Sequence, residues 1–179
     1  MAKVIVLVGM AGVGKSTIGE ALACLMGVEF ADTDKAVEQA SGLSLVELFD
    51  KVGESGFRQI ESAMLEVFKS IENDCVLAVG GGIILSEKNR EVLKNKKFLV
   101  VFLEDDIEAI YKRLHTKQRP LFTDISLDKF KQVYAERLPL YADVANGVLD
   151  IRGMSVERAV KQLNSLIPIL YLAHTKCKV

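Results

Sequence analysis

The chain has 179 residues, of which 50% are hydrophobic and 26% are charged, and its formal net charge is -1. This length fits one globular domain with a sizeable buried core. The near-neutral charge offers no basic excess for a nucleic-acid backbone, so we expect a small-molecule substrate and no nucleic-acid partner.

Short apolar runs alternate with helical patterns along the chain. The runs are continuous rather than alternating, which is typical of strands buried on both faces of a parallel sheet. The predicted strands cover residues 4–8, 28–31, 75–79, 98–103 and 148–151. The predicted helices cover residues 15–26, one or two short helices within 32–53 that are broken near Gly42, then 54–71, 86–93, 107–114, 127–139 and 155–166. Ser86 is the expected N-cap of the helix that it begins. This order predicts an α/β fold of three layers, α/β/α, with a five-stranded parallel sheet and ligands at the carboxyl ends of its strands.

The first strand leads directly into Gly9-Met-Ala-Gly-Val-Gly14-Lys15-Ser16, which matches the P-loop pattern in full. In such a loop backbone amides point at the β-phosphate, Lys15 neutralises the β- and γ-phosphate oxygens, and the Ser16 hydroxyl ligates Mg²⁺. The next helix directs its positive end at the same phosphates. The motif predicts a P-loop NTPase fold that binds the phosphates of a nucleotide, ATP in a kinase, together with Mg²⁺. The expected nucleotide-binding residues here are Gly12, Val13, Gly14, Lys15, Ser16 and Thr17.

The P-loop alone does not separate a kinase from a GTPase, an ATPase or a passive binder. A GTPase normally reads guanine with Asn-Lys-x-Asp after a strand. The nearest candidate, residues 95–98, lacks the aspartate and precedes its strand. The sequence therefore disfavours a GTPase.

Two carboxylates, Asp32 and Asp34, follow the second predicted strand. In this topology they lie near the phosphate loop. One can approach Mg²⁺ or its waters, and the other can hold a substrate hydroxyl. A solvated helix N-cap is the alternative explanation.

The next long helix and the third strand add further candidates for substrate binding. Arg58 can bind an anionic substrate in bidentate fashion, and Glu61 can hold that guanidinium one turn on. The alternative is a surface ion pair. Gly80, Gly81 and Gly82 remove every side chain at a point where a ligand can touch backbone, although a flexible turn also explains them.

The fourth strand ends in three acidic residues, 104–106. This arrangement resembles a Walker B strand, but the chain continues directly into a helix. We therefore expect Asp105 or Asp106 to cap that helix.

The polar segment at about residues 115–124 holds Lys117 and Arg119. It predicts a mobile lid that brings a cation onto the transferring phosphate. A plain surface loop is the alternative. Arg137, near the end of the following helix, is a second candidate guanidinium for an anionic substrate.

Together these elements resemble the shikimate kinase family of P-loop kinases. The matching segments, in order, are residues 9–16, 32–34, 53–54 with 57, 58 and 61, then 80–82, 119–121 and 136–141. The resemblance runs from Val4 to about Val160. One departure is Val79, which stands where the family often has Thr or Ser, so any hydroxyl contact there is lost.

The resemblance implies transfer of the ATP γ-phosphate to the 3-hydroxyl of shikimate. Asp34 would hold the ring hydroxyls, and the sequence leaves open whether it also accepts the proton. Arg58 and Arg137 would clamp the carboxylate. Gly80, Gly81 and Gly82 would contact shikimate through their backbone.

The resemblance also implies residues for charge neutralisation and nucleotide binding. Lys15 and Arg119 would neutralise charge that develops in the transition state. Ser16, with Asp32 through a water, would hold Mg²⁺. The expected adenine contacts are Arg113 and Arg152.

We expect one kinase domain over residues 1–179, with a C-terminal tail at 171–179 beyond the last predicted helix. The apolar stretches are too short for a membrane span, and no apolar stripe indicates a protein partner. We therefore expect a cytoplasmic monomer with no membrane partner.

Two other functions stay open at this point. A gluconate-type kinase would share the P-loop but need not carry the paired Arg58 and Arg137. A nucleotide-binding protein that has lost catalysis is the second, and the intact Lys15, Asp34 and Arg119 argue against it.

Overall fold

The computed structural model describes residues 4–116 and 125–176. Within these ranges one parallel sheet has the strand order β2-β3-β1-β4-β5. Its strands are β1 (Val4–Val8), β2 (Glu29–Asp32), β3 (Cys75–Ala78), β4 (Phe98–Glu104) and β5 (Gly147–Asp150). The predicted five-stranded parallel sheet is confirmed.

Helices cover both faces of the sheet. They are α1 (Lys15–Met26), α2 (Thr33–Ser41), α3 (Leu45–Ser70), α4 (Glu87–Leu93), α5 (Ile107–Thr116), α6 (Leu127–Val144) and α7 (Val156–Lys176), with a short 3₁₀ turn at Ile83–Leu85. The central strand β1 alternates between two cores: Ile5 and Leu7 pack beneath α1, α5 and α7, whereas Val4, Val6 and Val8 pack beneath α3, α4 and α6. This is the predicted three-layer α/β/α arrangement.

Two glycines divide the segment between β2 and β3. Gly42 ends α2 with a left-handed φ of 69°, which is the break expected in this segment. Gly53, with φ 68° and ψ 179°, kinks α3 instead of ending it. The kink separates the start of α3 from the stretch that carries Arg58 and Glu61.

Two helix ends differ from the sequence prediction. Pro139 does not end α6, which continues to Val144, and α7 runs through Pro168 to Lys176 instead of stopping at residue 166. Residues 171–176 are therefore helical, where a tail beyond the last helix was expected. A proline inside a helix costs about 3 kcal/mol. Burial beyond each proline offsets this cost, because Tyr141 and Leu170 are both buried.

The described helices include none that is both long enough and apolar enough to cross a membrane.

Candidate active site

The phosphate loop (residues 9–16) joins β1 to α1. Gly12 and Gly14 adopt φ angles of 85° and 109° that L side chains rarely take. A Cβ on Gly12 would also lie 2.8 Å from Leu114 Cγ, so α5 packs directly on the loop. Lys15 is buried and its ammonium donates to the carbonyls of Gly9 (2.9 Å) and Met10 (3.0 Å). The loop thus places a cation and a helix N-terminus at one point, as phosphate binding requires.

The side chains of Ser16 and Asp32 meet beside this loop. The Ser16 hydroxyl donates to Asp32 Oδ2 at 2.6 Å, while Asp32 Oδ1 accepts from the Asp34 amide at 2.9 Å and caps α2. Asp32 therefore is the N-cap and still faces the phosphate loop. One hydroxyl and one carboxylate fit Mg²⁺, which takes its other ligands from phosphates and water.

Two cavities adjoin at the carboxyl ends of the strands. The smaller, the phosphate cavity, has a volume of about 90 Å³ and is lined by phosphate-loop residues with Arg113 and Val79. The larger, the acceptor cavity, has a volume of about 590 Å³. Both cavities are lined by Ser16, Asp32, Asp34 and Gly81. A phosphate donor and an acceptor can therefore meet at these shared residues.

The acceptor cavity combines charged, backbone and apolar surfaces. Its charged groups include the carboxylates Asp34 and Glu61 and the guanidinium groups Arg58 and Arg137. Its floor is the glycine turn (Gly80, Gly81 and Gly82). Apolar side chains line the rest, among them Leu45, Val46, Phe49 and Phe57. This lining suits a small molecule that has an anionic group, hydroxyls and an apolar ring face.

Arg58 and the buried Glu61 form an ion pair in the wall of this cavity. Arg58 Nη1 lies 2.5 Å from Glu61 Oε2, and the Glu61 side chain is only 4% exposed. Burial raises the pKa of Glu61, and the adjacent Arg58 charge opposes this rise. The exposed Glu54 lies 3.5 Å from Arg58 on its other side. The alternative of a surface ion pair is therefore wrong, because the buried Glu61 carboxylate holds the Arg58 guanidinium at the cavity wall.

The glycine turn is required for close contact rather than for backbone freedom, since none of its three residues has a positive φ. A Cβ on Gly80 would lie 2.8 Å from Glu61 Oε1 and 2.9 Å from Asp34 Oδ1. A Cβ on Gly82 would lie 2.5 Å from Arg58 Nη1. The charged side chains thus rest directly on the turn.

The sequence reasoning missed two residues that hold this turn. Thr33 Oγ1 accepts a hydrogen bond from the Gly80 amide, and the Tyr141 hydroxyl donates to the Gly81 carbonyl. Both lie inside segments already singled out, 32–34 and 136–141. Nothing in their spacing indicated which backbone groups they would bind.

Arg113 lies against the phosphate loop. Its Nη1 donates to the carbonyls of Gly12 (3.2 Å) and Val13 (3.4 Å), and its Nη2 pairs with Asp105. The Asp105 side chain is 5% exposed and serves as a buried counter-ion, so of the two expected caps of α5 only Asp106 remains. Asp106 is the cap, because its Oδ1 accepts from the Ala109 amide at 2.9 Å.

One predicted residue is not brought to these cavities, and another lies outside the part of the chain that the structure describes. Arg152 is exposed, pairs with Asp150 at 2.5 Å and lowers the pKa of that carboxyl to about 2. It is absent from the described lining of both cavities. Arg119 and most of the predicted lid lie outside the described residues. Adenine contacts from Arg113 and Arg152 stay predictions.

Comparisons with known proteins agree with this geometry. The model of the shikimate kinase family matches residues 11–168. A curated shikimate kinase of Marinomonas sp. (strain MWYL1) is 38% identical over 148 residues, which are 82% of this chain and 81% of the relative. The solved structure of shikimate kinase from Acinetobacter baumannii in complex with shikimate is 35% identical, with a TM-score of 0.86 over 93% of each chain.

A gluconokinase from Sinorhizobium meliloti 1021 is also similar, with a TM-score of 0.56 and 18% identity over 96% of this chain and 97% of that one. At this identity the likeness shows the fold alone. The family match and the curated relative therefore decide between the two kinase functions that the sequence left open. The chain belongs to the shikimate kinase family and is an ATP-dependent kinase.

Proposed function

We propose that the chain transfers the γ-phosphate of ATP to the 3-hydroxyl of shikimate and releases ADP and shikimate 3-phosphate. The observation that carries this proposal is the junction of the two cavities at Ser16, Asp32, Asp34 and Gly81. Phosphoryl transfer needs the donor and acceptor held in line, with little covalent chemistry from the protein. The junction provides a place where both can be held.

The charges around the acceptor cavity support shikimate as the acceptor. Arg58 and Arg137 bind its carboxylate, because a guanidinium is a bidentate partner for that group. Glu61 holds Arg58 from behind. Asp34 accepts hydrogen bonds from ring hydroxyls and orients the one that attacks. The glycine turn allows the ring to approach backbone.

Residues of the phosphate loop bind the donor. Lys15 neutralises the β- and γ-phosphate oxygens, and amides of the loop, including those of Gly12, Val13 and Gly14, bind them. Ser16 and, through water, Asp32 hold Mg²⁺, which screens phosphate charge when bound. Thr17, in the first turn of α1, is proposed to bind the nucleotide phosphates as well. Arg119 is proposed from the sequence as a second cation at the transferring phosphate.

We further propose a single kinase domain over residues 1–179 that acts as a cytoplasmic monomer. The predicted lid at about 115–124 would exclude water, since an open site would waste ATP by hydrolysis. These proposals rest on the sequence. Light scattering of the purified chain, with and without ligands, tests the monomer.

A coupled ADP-release assay tests the proposed reaction. With ATP and Mg²⁺, we expect ADP release that depends on shikimate and is lost when a chelator removes Mg²⁺. Gluconate serves as the matched acceptor control and should give no release. Turnover with gluconate but not with shikimate would overturn the proposal.

A further inference from the structure

The glycine turn contacts both halves of the active site. On the acceptor side it lies directly under Asp34, Glu61 and Arg58, at the separations given above. On the donor side a Cβ on Gly81 would lie 2.7 Å from the Ala11 amide nitrogen in the phosphate loop. The turn has no room for an added Cβ at these contacts unless a neighbouring side chain or the backbone moves. A small shift of the turn therefore shifts the acceptor-binding side chains relative to the phosphates.

Two buried hydroxyls fasten this turn from opposite sides. Thr33, which is 1% exposed, accepts from the Gly80 amide at 3.0 Å across 47 residues of chain. Tyr141, which is fully buried, donates to the Gly81 carbonyl at 2.6 Å. Its ring stacks on Phe102 of β4, with centroids 5.1 Å apart and an interplanar angle of 10°. Burial raises the pKa of the Tyr141 hydroxyl further above its ordinary value of 10.0, so the hydroxyl keeps its proton even in mildly alkaline solution.

Each hydroxyl belongs to a helix that carries an acceptor-binding residue. Thr33 precedes Asp34 in the first turn of α2. Tyr141 follows Arg137 by one turn in α6 and projects to the same side, since both approach Met10 Sδ, at 4.0 Å and 3.9 Å. The two bonds thus tie Asp34 and Arg137 to the turn on which Arg58 and Glu61 rest.

We propose that Thr33 and Tyr141 are positioning residues, whose hydroxyls set the glycine turn at the separation from the phosphate loop that phosphoryl transfer requires. This inference rests on the proposed function and adds to it two residues that touch neither ligand. Loss of either bond leaves a buried backbone group without that partner, which favours a displaced turn. Effective transfer depends steeply on such placement, because a misplacement of about 1 Å costs roughly a hundredfold in rate.

Matched variants separate positioning from folding. Thr33→Val removes the acceptor oxygen and keeps the shape, whereas Thr33→Ser keeps the oxygen. Tyr141→Phe removes the donor. Tyr134→Phe is its control, because the Tyr134 hydroxyl is also buried but has no hydrogen-bond partner among the described residues.

The readouts are kcat and KM for shikimate, the affinity for ATP, and the thermal midpoint. We expect Thr33→Val and Tyr141→Phe each to lower kcat/KM for shikimate by roughly tenfold, as loss of one buried hydrogen bond allows. ATP affinity should change by less than about twofold, because the phosphate loop keeps its own bonds. Thr33→Ser should recover most of the loss. Tyr134→Phe should keep the wild-type kcat/KM for shikimate, with a thermal midpoint equal to that of the wild type or higher, because it removes a buried hydroxyl that has no partner among the described residues.

Two results would overturn the inference. One is a Thr33→Val enzyme with wild-type kcat/KM for shikimate. The other is a parallel fall of ATP affinity, thermal midpoint and activity in both Thr33→Val and Thr33→Ser, which would indicate a purely structural role. Failure of the proposed function itself would appear separately, as absence of shikimate turnover in the wild type.

Discussion

Among single residues, Glu61 departs furthest from an ordinary surface carboxylate. It lies 2.5 Å from Arg58 with its side chain almost fully buried. Burial raises its pKa more than the Arg58 charge lowers it. Glu61 therefore costs stability as an ionised group, and what it provides in return is a fixed position for Arg58.

Glu61→Gln tests this balance through the pH dependence of stability. The pKa of Glu61 in the folded chain lies above its ordinary value of 4.5. As pH rises above 4.5 the unfolded chain loses this proton first, so the wild type becomes less stable until the folded pKa is passed. We expect the free energy of unfolding of the wild type, measured in urea, to fall relative to that of Glu61→Gln across this window and then level off. A wild type that gains relative stability with pH would contradict the assignment.

The glycine turn allows two neighbouring substitutions with opposite outcomes. Gly82→Ala directs its Cβ at the Arg58 guanidinium, 2.5 Å away, and Gly82 has an ordinary φ of -96°. We expect weaker shikimate binding with a nearly unchanged thermal midpoint, because the end of a flexible side chain can move. Gly81→Ala directs its Cβ at the Ala11 backbone, 2.7 Å away, and should destabilise the fold by about 1–3 kcal/mol.

Thermal unfolding and shikimate titration of both variants make this comparison. Equal destabilisation by Gly81→Ala and Gly82→Ala would show that any added side chain disturbs the turn, whichever neighbour it meets. A Gly82→Ala enzyme with wild-type shikimate affinity would show that Arg58 does not depend on the turn.

At the scale of elements, the strands and most helices were predictable because their signals are local. Continuous apolar runs predicted all five strands to within one or two residues. As expected, Gly42 ends α2 and Ser86 caps the start of α4. The predicted helix ends at Pro139 and residue 166 were wrong. Local helix propensity does not account for the burial of side chains that follow each proline. The pair between Arg113 and the buried Asp105 was also missed, because the sequence does not show which of the acidic residues 104–106 becomes buried.

The candidate site was predictable to a similar extent. Asp34, Arg58, the glycine turn and Arg137 were singled out by type and position and do line one cavity. The hydrogen bonds of Thr33 and Tyr141 were not, because side-chain partners across 47 and 60 residues leave no trace in spacing.

The extension of α7 beyond Pro168 offers a matched pair of neighbouring side chains. Leu170 is buried against Gly147, where a Cβ would lie 2.7 Å from Leu170 Cδ2, whereas Ile169 is 63% exposed. Leu170→Ala should lower the free energy of unfolding by about 2–3 kcal/mol. Ile169→Ala, the control, should change it by less than about 0.5 kcal/mol. Urea denaturation of both variants measures this, and equal effects would mean that the extension adds no packing.

For the whole molecule, the two cavities predict separable responses to donor and acceptor. A ligand that binds only the folded chain stabilises it by about 2.7 kcal/mol at a concentration of 100 times its Kd. Shikimate and ADP with Mg²⁺ should therefore each raise the thermal midpoint of the wild type. The two effects should be distinguishable by variants that alter one cavity at a time.

Arg58→Ala and Lys15→Ala are those variants, and each is the control for the other. Arg58→Ala should weaken shikimate binding by ~2–4 kcal/mol, because a desolvated carboxylate loses its partner. It should thus lose most of the shift produced by shikimate and keep the shift produced by ADP. Lys15→Ala should lose the ADP shift and keep the shikimate shift, since its ammonium belongs to the phosphate loop. Arg58→Ala also leaves buried Glu61 without that counter-charge, so each shift is measured against the same variant without ligand. Loss of both shifts in Arg58→Ala would mean that this residue maintains the fold of both cavities rather than binding the acceptor.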